Sequence, residues 1–123
     1  KDLPLVLIID DQETDRYIIR HHLDGFGCSI VEAIGGEHGL QLARQLRPAL
    51  ILLDLNMPGM DGYQTAAELR KQAWSSEATF VAHTGCTDSS VADDVRKAGF
   101  GYLIPKPASA ATFETLVKTL RAK

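Results

Sequence analysis

Short, uninterrupted apolar runs recur along this chain, each followed by a longer segment with helical spacing. The runs Leu5 to Ile9, Cys28 to Ala33, Leu50 to Leu53, Phe80 to Ala82 and Tyr102 to Ile104 are rich in Ile, Val, Leu and aromatic residues. They are mostly continuous rather than alternating, which suits strands covered on both faces. Between them, Thr14 to Asp24 carries Ile19 and Leu23 four apart before Gly25, and Glu37 to Leu46 carries Leu42 and Leu46 four apart before Pro48. Asp61 to Gln72 is a weaker helix through Tyr63, Ala66 and Leu69, followed by a polar loop around Ser75, Ser76 and Glu77. Val91, Val95 and Ala98 give a further amphipathic helix over Ser89 to Ala98, and Phe113, Leu116, Val117 and Leu120 give the last.

Five strands alternating with five helices predict an α/β fold: an open, doubly wound, five-stranded parallel sheet with helices on both faces. Such sheets gather ligands outside the carboxyl ends of their strands, at the point where strand order reverses. At 123 residues the chain has room for a single domain over 1–123. Its longest apolar runs are far below the ~18 residues of a membrane span. Thirteen Lys and Arg against sixteen Asp and Glu give a net charge of −3, with no basic cluster, so direct nucleic acid binding is not expected. Cys28 and Cys86 lack metal-ligand spacing and fit a reducing compartment, which points to the cytoplasm.

Polar residues collect where the strands end. The first strand runs into Asp10 and Asp11, the third into Asp54, the fourth into Thr84, and the fifth through Pro105 into Lys106. Carboxylates brought together on one sheet edge repel one another unless a cation is present, and hard oxygen ligands call for Mg²⁺ rather than zinc. One ammonium and one hydroxyl beside such a cluster are equipment for a phosphoryl group, whose oxygens need several positive or donor partners. The central aspartate is the natural nucleophile, since carboxylates form acyl phosphates.

The constellation Asp10-Asp11, Asp54-Leu55-Asn56-Met57-Pro58-Gly59-Met60-Asp61-Gly62, Thr84-Gly85 and Lys106-Pro107 resembles the receiver domain of two-component response regulators, in order and over essentially the whole chain. The resemblance implies a flavodoxin-like sheet of order 2-1-3-4-5. It implies that Asp54 is the phosphoacceptor, served by a histidine of a partner kinase or histidine phosphotransfer domain. Asp11 and Asp54 would ligate Mg²⁺ directly, Asp10 through water, and the Asn56 backbone carbonyl would complete the protein share. Lys106 would pair with Asp54 at rest and with the phosphoryl group afterwards, Thr84 would swing its hydroxyl onto that group, and the Lys106-Pro107 peptide would be cis. The implied function is a phosphorylation switch that changes partner binding, with a homodimer through the fourth helix, fifth strand and fifth helix as one such contact. It is not expected to be an enzyme beyond its own phosphorylation and dephosphorylation. The domain stands alone or belongs to a larger regulator such as a hybrid histidine kinase, whose whole would then be a kinase.

Two rival functions share parts of the pattern. A haloacid dehalogenase-like phosphohydrolase also combines an aspartate nucleophile, Mg²⁺, a hydroxyl and a lysine, but needs an acid two residues after the nucleophile, where this chain has Asn56. A scaffold that has lost phosphorylation would not need Asp10, Asp11, Asp54, Thr84 and Lys106 together. Other conspicuous residues have plainer readings. Gly59 and Gly62 are turn glycines, Met57 and Met60 pack, Gly35-Gly36 turns into the second helix, and Cys28 is a small hydrophobe. His21, His22 and His38 carry no chemistry, and His83 with Cys86 is too small a ligand set for zinc. Pro105 cannot donate to a ladder, so the fifth strand should be an edge. Receivers often carry an aromatic three residues before the lysine. Here that position is Leu103, and Tyr102 beside it should face the opposite side of the sheet.

Overall fold

Each apolar run becomes a strand and each helical pattern a helix in the structure, a computed structural model that describes residues 4–85 and 88–121. The strands are β1 (Leu5–Ile9), β2 (Ser29–Ala33), β3 (Leu50–Leu53), β4 (Thr79–Thr84) and β5 (Tyr102–Pro105). The helices are α1 (Glu13–Leu23), α2 (Gly36–Leu46), α3 (Gly62–Arg70), α4 (Ser89–Lys97) and α5 (Ala110–Arg121). All strand pairs are parallel, in the order β2-β1-β3-β4-β5. The doubly wound sheet expected from the alternation is therefore present, with β5 at its edge as Pro105 requires.

Side chains alternate across the sheet and divide the core into two layers. Leu7, Ile9, Ile51, Leu53, Phe80 and Ala82 point toward α2, α3 and α4, where Leu40, Ala66, Leu69 and Val95 meet them. Val6, Ile8, Leu50, Leu52 and Val81 point the other way, against Ile19 and Leu23 of α1 and Phe113, Leu116 and Val117 of α5. Burial on both faces explains the continuous apolar runs, and each fully buried Leu or Ile contributes roughly 1.5–3 kcal/mol.

Local chemistry sets the helix starts near the functional edge. Asp61 caps α3 by accepting from Gln64 N at 2.8 Å while Gln64 Oε1 accepts from Asp61 N at 2.9 Å, a reciprocal capping box. Asp88 caps α4 through Val91 N at 3.1 Å. One segment differs from expectation. Ala73–Glu77, read as polar loop, forms a 3-10 turn, with the Ser75 and Ser76 hydroxyls donating to the carbonyls three residues back. β4 extends past its apolar run through His83 and Thr84, because pairing with β5 continues to Thr84 opposite Pro105. No helix among the described residues is long and apolar enough to cross a membrane.

Candidate functional site

Strand register assembles the site. Ile9 lies opposite Leu53, so the residues after them, Asp10 and Asp54, emerge side by side, and Asp54 N donates to Ile9 O at 2.9 Å. Lys106 is delivered by the outer strand, its own N–H donating to Thr84 O at 2.8 Å. Carboxylate oxygens of Asp10, Asp11 and Asp54 lie within 4.8 Å of one another, close enough to share one ion. Asp10 and Asp54 are nearly inaccessible, at 1% and 6%, and Thr84 is fully buried beside them.

Burial makes these carboxylates costly to ionise. It is the main force raising Asp10 above the usual carboxylate range, against opposing hydrogen bonds from Lys106 and Gln12 N. Burial likewise raises Asp54, reinforced by the charge of Asp10. For Lys106 burial works downward, but hydrogen bonds to Asp15 and Asp10 and the charges of Asp10 and Asp54 outweigh it, leaving the ammonium above its ordinary value. The edge is short of positive charge, and a hard divalent cation suits this oxygen set.

The residues expected here converge, with three differences. Lys106 is within 3.6 Å of Asp54 Oδ2, an ion pair, yet its hydrogen bonds go to Asp10 Oδ2 at 2.9 Å and Asp15 Oδ2 at 2.8 Å. Asp15, in the first turn of α1, was not singled out from the sequence; an acidic residue there is ordinary at a helix N-terminus. Gly62 is needed for close approach rather than for a turn: a Cβ would stand 2.7 Å from Leu55 Cα and closer still to the Asp54 carbonyl oxygen. Gly59, at φ +78°, is the turn glycine expected.

Asn56 N donates to Asp54 Oδ1 at 3.3 Å, and the Asn56 amide donates to Thr84 Oγ1 at 3.4 Å, tying the acceptor loop to the end of β4. Arg16 adds a brace missed from sequence, donating to the Asp10 carbonyl at 2.8 Å and to Glu32 at 3.0 Å. The Lys106-Pro107 peptide is cis. Met57 is buried in the core, as its packing role required. His83 is buried, edge-on to Phe113, and neither ring nitrogen has a hydrogen-bond partner among the described residues. Cys86, its suggested companion, lies outside the described residues. His38 has a local structural role, its Nδ1 accepting from Ile34 N at 3.1 Å.

A model of the family described as "Response regulator receiver domain" matches residues 6–118. Protein PilH of Pseudomonas aeruginosa is 34% identical over 119 residues, covering 95% of this chain and 94% of PilH. The sensor histidine kinase CheAY of Helicobacter pylori is 37% identical over 118 residues, covering 93% of this chain but 14% of CheAY. Among solved structures, chemotaxis protein CheY4 of Vibrio cholerae superimposes with a TM-score of 0.86 at 28% identity, covering 98% of both chains. With its strand order, its clustered aspartates and these likenesses all in accord, the chain belongs to the response regulator receiver domain family of two-component systems.

Proposed function

We propose that Asp54 accepts a phosphoryl group from a phosphohistidine of a histidine kinase or histidine phosphotransfer domain, and that Asp10, Asp11, Asp54 and the Asn56 backbone carbonyl hold the Mg²⁺ this requires. The observation that carries the reading is the meeting of three carboxylates within 4.8 Å with a lysine ammonium that reaches two of them. Mg²⁺ would supply charge neutralisation for the transferring oxygens. Asp54 supplies the nucleophile: a carboxylate oxygen forms the new bond to phosphorus while the donor's bond to phosphorus breaks and its electron pair leaves with the donor. Lys106 and Thr84 offer the ammonium and hydroxyl that meet phosphoryl oxygens. Asn56 cannot deliver a proton to a leaving group as a phosphomonoesterase acid would, which favours a switch over a hydrolase.

The output is a change in partner binding. We assign it to the face of α4, β5 and α5, where Tyr102 is 43% exposed beside a groove lined by Thr112, Thr115 and Leu116, and where a second copy of the chain is the candidate partner. Incubation with acetyl phosphate and Mg²⁺, followed by intact mass, tests the chemistry. One added phosphate in the native chain and none in Asp54→Asn is expected; uptake by Asp54→Asn at another residue would undo the site, and steady turnover of phosphomonoesters would restore the hydrolase. Size-exclusion chromatography with and without the phosphoryl group tests the dimer.

A further inference from the structure

Lys106 is held most closely by a residue outside the acidic trio. Its Nζ is 2.8 Å from Asp15 Oδ2 and 2.9 Å from Asp10 Oδ2, but 3.6 Å from Asp54 Oδ2. Asp15 is not one of the carboxylates placed to share an ion, and it belongs to the first turn of α1. An ammonium has three donors and no acceptor; two are directed at Asp15 and Asp10, and the attraction of Asp15 opposes the approach of the Nζ to Asp54, from which it stands 3.6 Å away. Lys106 also borders a cavity of about 190 Å³ lined by Asp15, Ile18, His83 and Phe113, so packing does not lock its side chain on the Asp15 side.

We propose that Asp15 is a positioning residue for Lys106: in the unphosphorylated protein it holds the ammonium back from Asp54 and so slows acquisition of the phosphoryl group. The proposal rests on Asp54 as phosphoacceptor and adds a brake to that reaction. The step it slows is balanced: an Asp54 oxygen bonds to phosphorus, the P–O bond of acetyl phosphate breaks, and acetate leaves with the electron pair. Negative charge spreads over the transferring oxygens, and an ammonium free to approach them lowers the barrier. Asp15 and Lys106 are both partly accessible, at 31% and 17%, so water screens their attraction.

The experiment measures the rate of phosphorylation by acetyl phosphate at saturating Mg²⁺. Asp15→Asn should react about fivefold faster than the native chain, the equivalent of about 1 kcal/mol for a partly exposed ion pair. Glu13→Gln removes an equal charge from the same helical turn, has no recorded bond to Lys106 among the described residues, and should leave the rate unchanged. In a Lys106→Ala background, Asp15→Asn should have no effect, because a brake that acts through the lysine disappears with it. Without cation or phosphoryl donor, the Lys106 ¹⁵Nζ resonance should shift in Asp15→Asn and not in Glu13→Gln, a readout independent of turnover. The proposal is overturned by an unchanged or slower Asp15→Asn, by equal acceleration in Glu13→Gln, by acceleration that survives loss of Lys106, or by an unmoved Nζ resonance. Adding Asp54→Asn to Asp15→Asn separates the two layers. Retained uptake sinks the phosphoacceptor assignment, whereas lost uptake together with no acceleration in the single variant sinks the brake alone.

Discussion

Replacing His83 by Leu should change how stability responds to acid, by an amount that follows from the imidazole's surroundings. His83 is 5% exposed and has no hydrogen-bond partner for either nitrogen among the described residues. Burial, with the nearby Lys106 charge, pushes it from 6.5 down to about 4. Above pH 6.5 the ring is neutral in folded and unfolded chains alike, and titration contributes nothing. As pH falls below 6.5 the unfolded chain binds a proton that the folded chain refuses, so stability is lost until pH reaches about 4, where the loss saturates. At about 1.4 kcal/mol per pH unit, the full loss is roughly 3 kcal/mol, of which about 2 kcal/mol has accrued by pH 5. The melting temperature of the native chain should then fall by about 6–10 °C more between pH 7.5 and 5 than that of His83→Leu. Asp10 and Asp54, raised by burial, act in the opposite direction, but they are common to both proteins and drop out of the comparison. Differential scanning calorimetry at the two pH values gives the answer. Parallel pH dependence in the two proteins would falsify the account of His83 as a buried neutral base.

Other outcomes follow from the same geometry. Mg²⁺ should raise the melting temperature by relieving repulsion among Asp10, Asp11 and Asp54, by about 2.7 kcal/mol of added stability at a hundredfold excess over its Kd; a flat response across millimolar Mg²⁺, or one that EDTA does not reverse, contradicts it. Gly62→Ala should destabilise by about 1–3 kcal/mol in denaturant melts and slow phosphorylation as well, because the new methyl displaces the Asp54 backbone; a neutral substitution would show that the loop relaxes freely. Structures with and without beryllofluoride should show Thr84 moving while the Tyr102 ring stays on the α5 side; an inward rotation beside Thr84 defeats the register argument.

Strand identity was legible because burial on both faces leaves an unmistakable apolar run, as in Leu50 to Leu53, where all four residues are buried. The strand-end polar residues were legible for the complementary reason, since Asp10 and Asp54 interrupt such runs where a buried charge needs a purpose. Boundaries set by pairing were not. The apolar run stops at Ala82, and the strand character of His83 and Thr84 shows only in their pairing with Ile104 and Pro105 of β5. Asp15 escaped notice because two acids open α1, and only a contact made across 91 residues of sequence distinguishes it from Glu13. Gly62 reads as a turn residue because sequence shows a missing side chain without showing what fills the space; the Asp54 carbonyl does.

The position of β5 has a consequence for local opening. Among the described residues it pairs with β4 alone, and the Pro105 nitrogen, turned away from β4, offers no N–H on the open edge, whereas β1 and β3 are held on both sides. Proteins open in parts, and edge elements detach at a fraction of the global free energy. A partial opening that peels β5 from the sheet withdraws Lys106 while β1 and β3 keep Asp10 and Asp54 in place. Amide exchange should therefore run faster in β5 than in β1 or β3. In that opened form the carboxylates lose their ammonium, so the ionic medium, rather than the rest of the chain, governs how long the lysine's strand stays away.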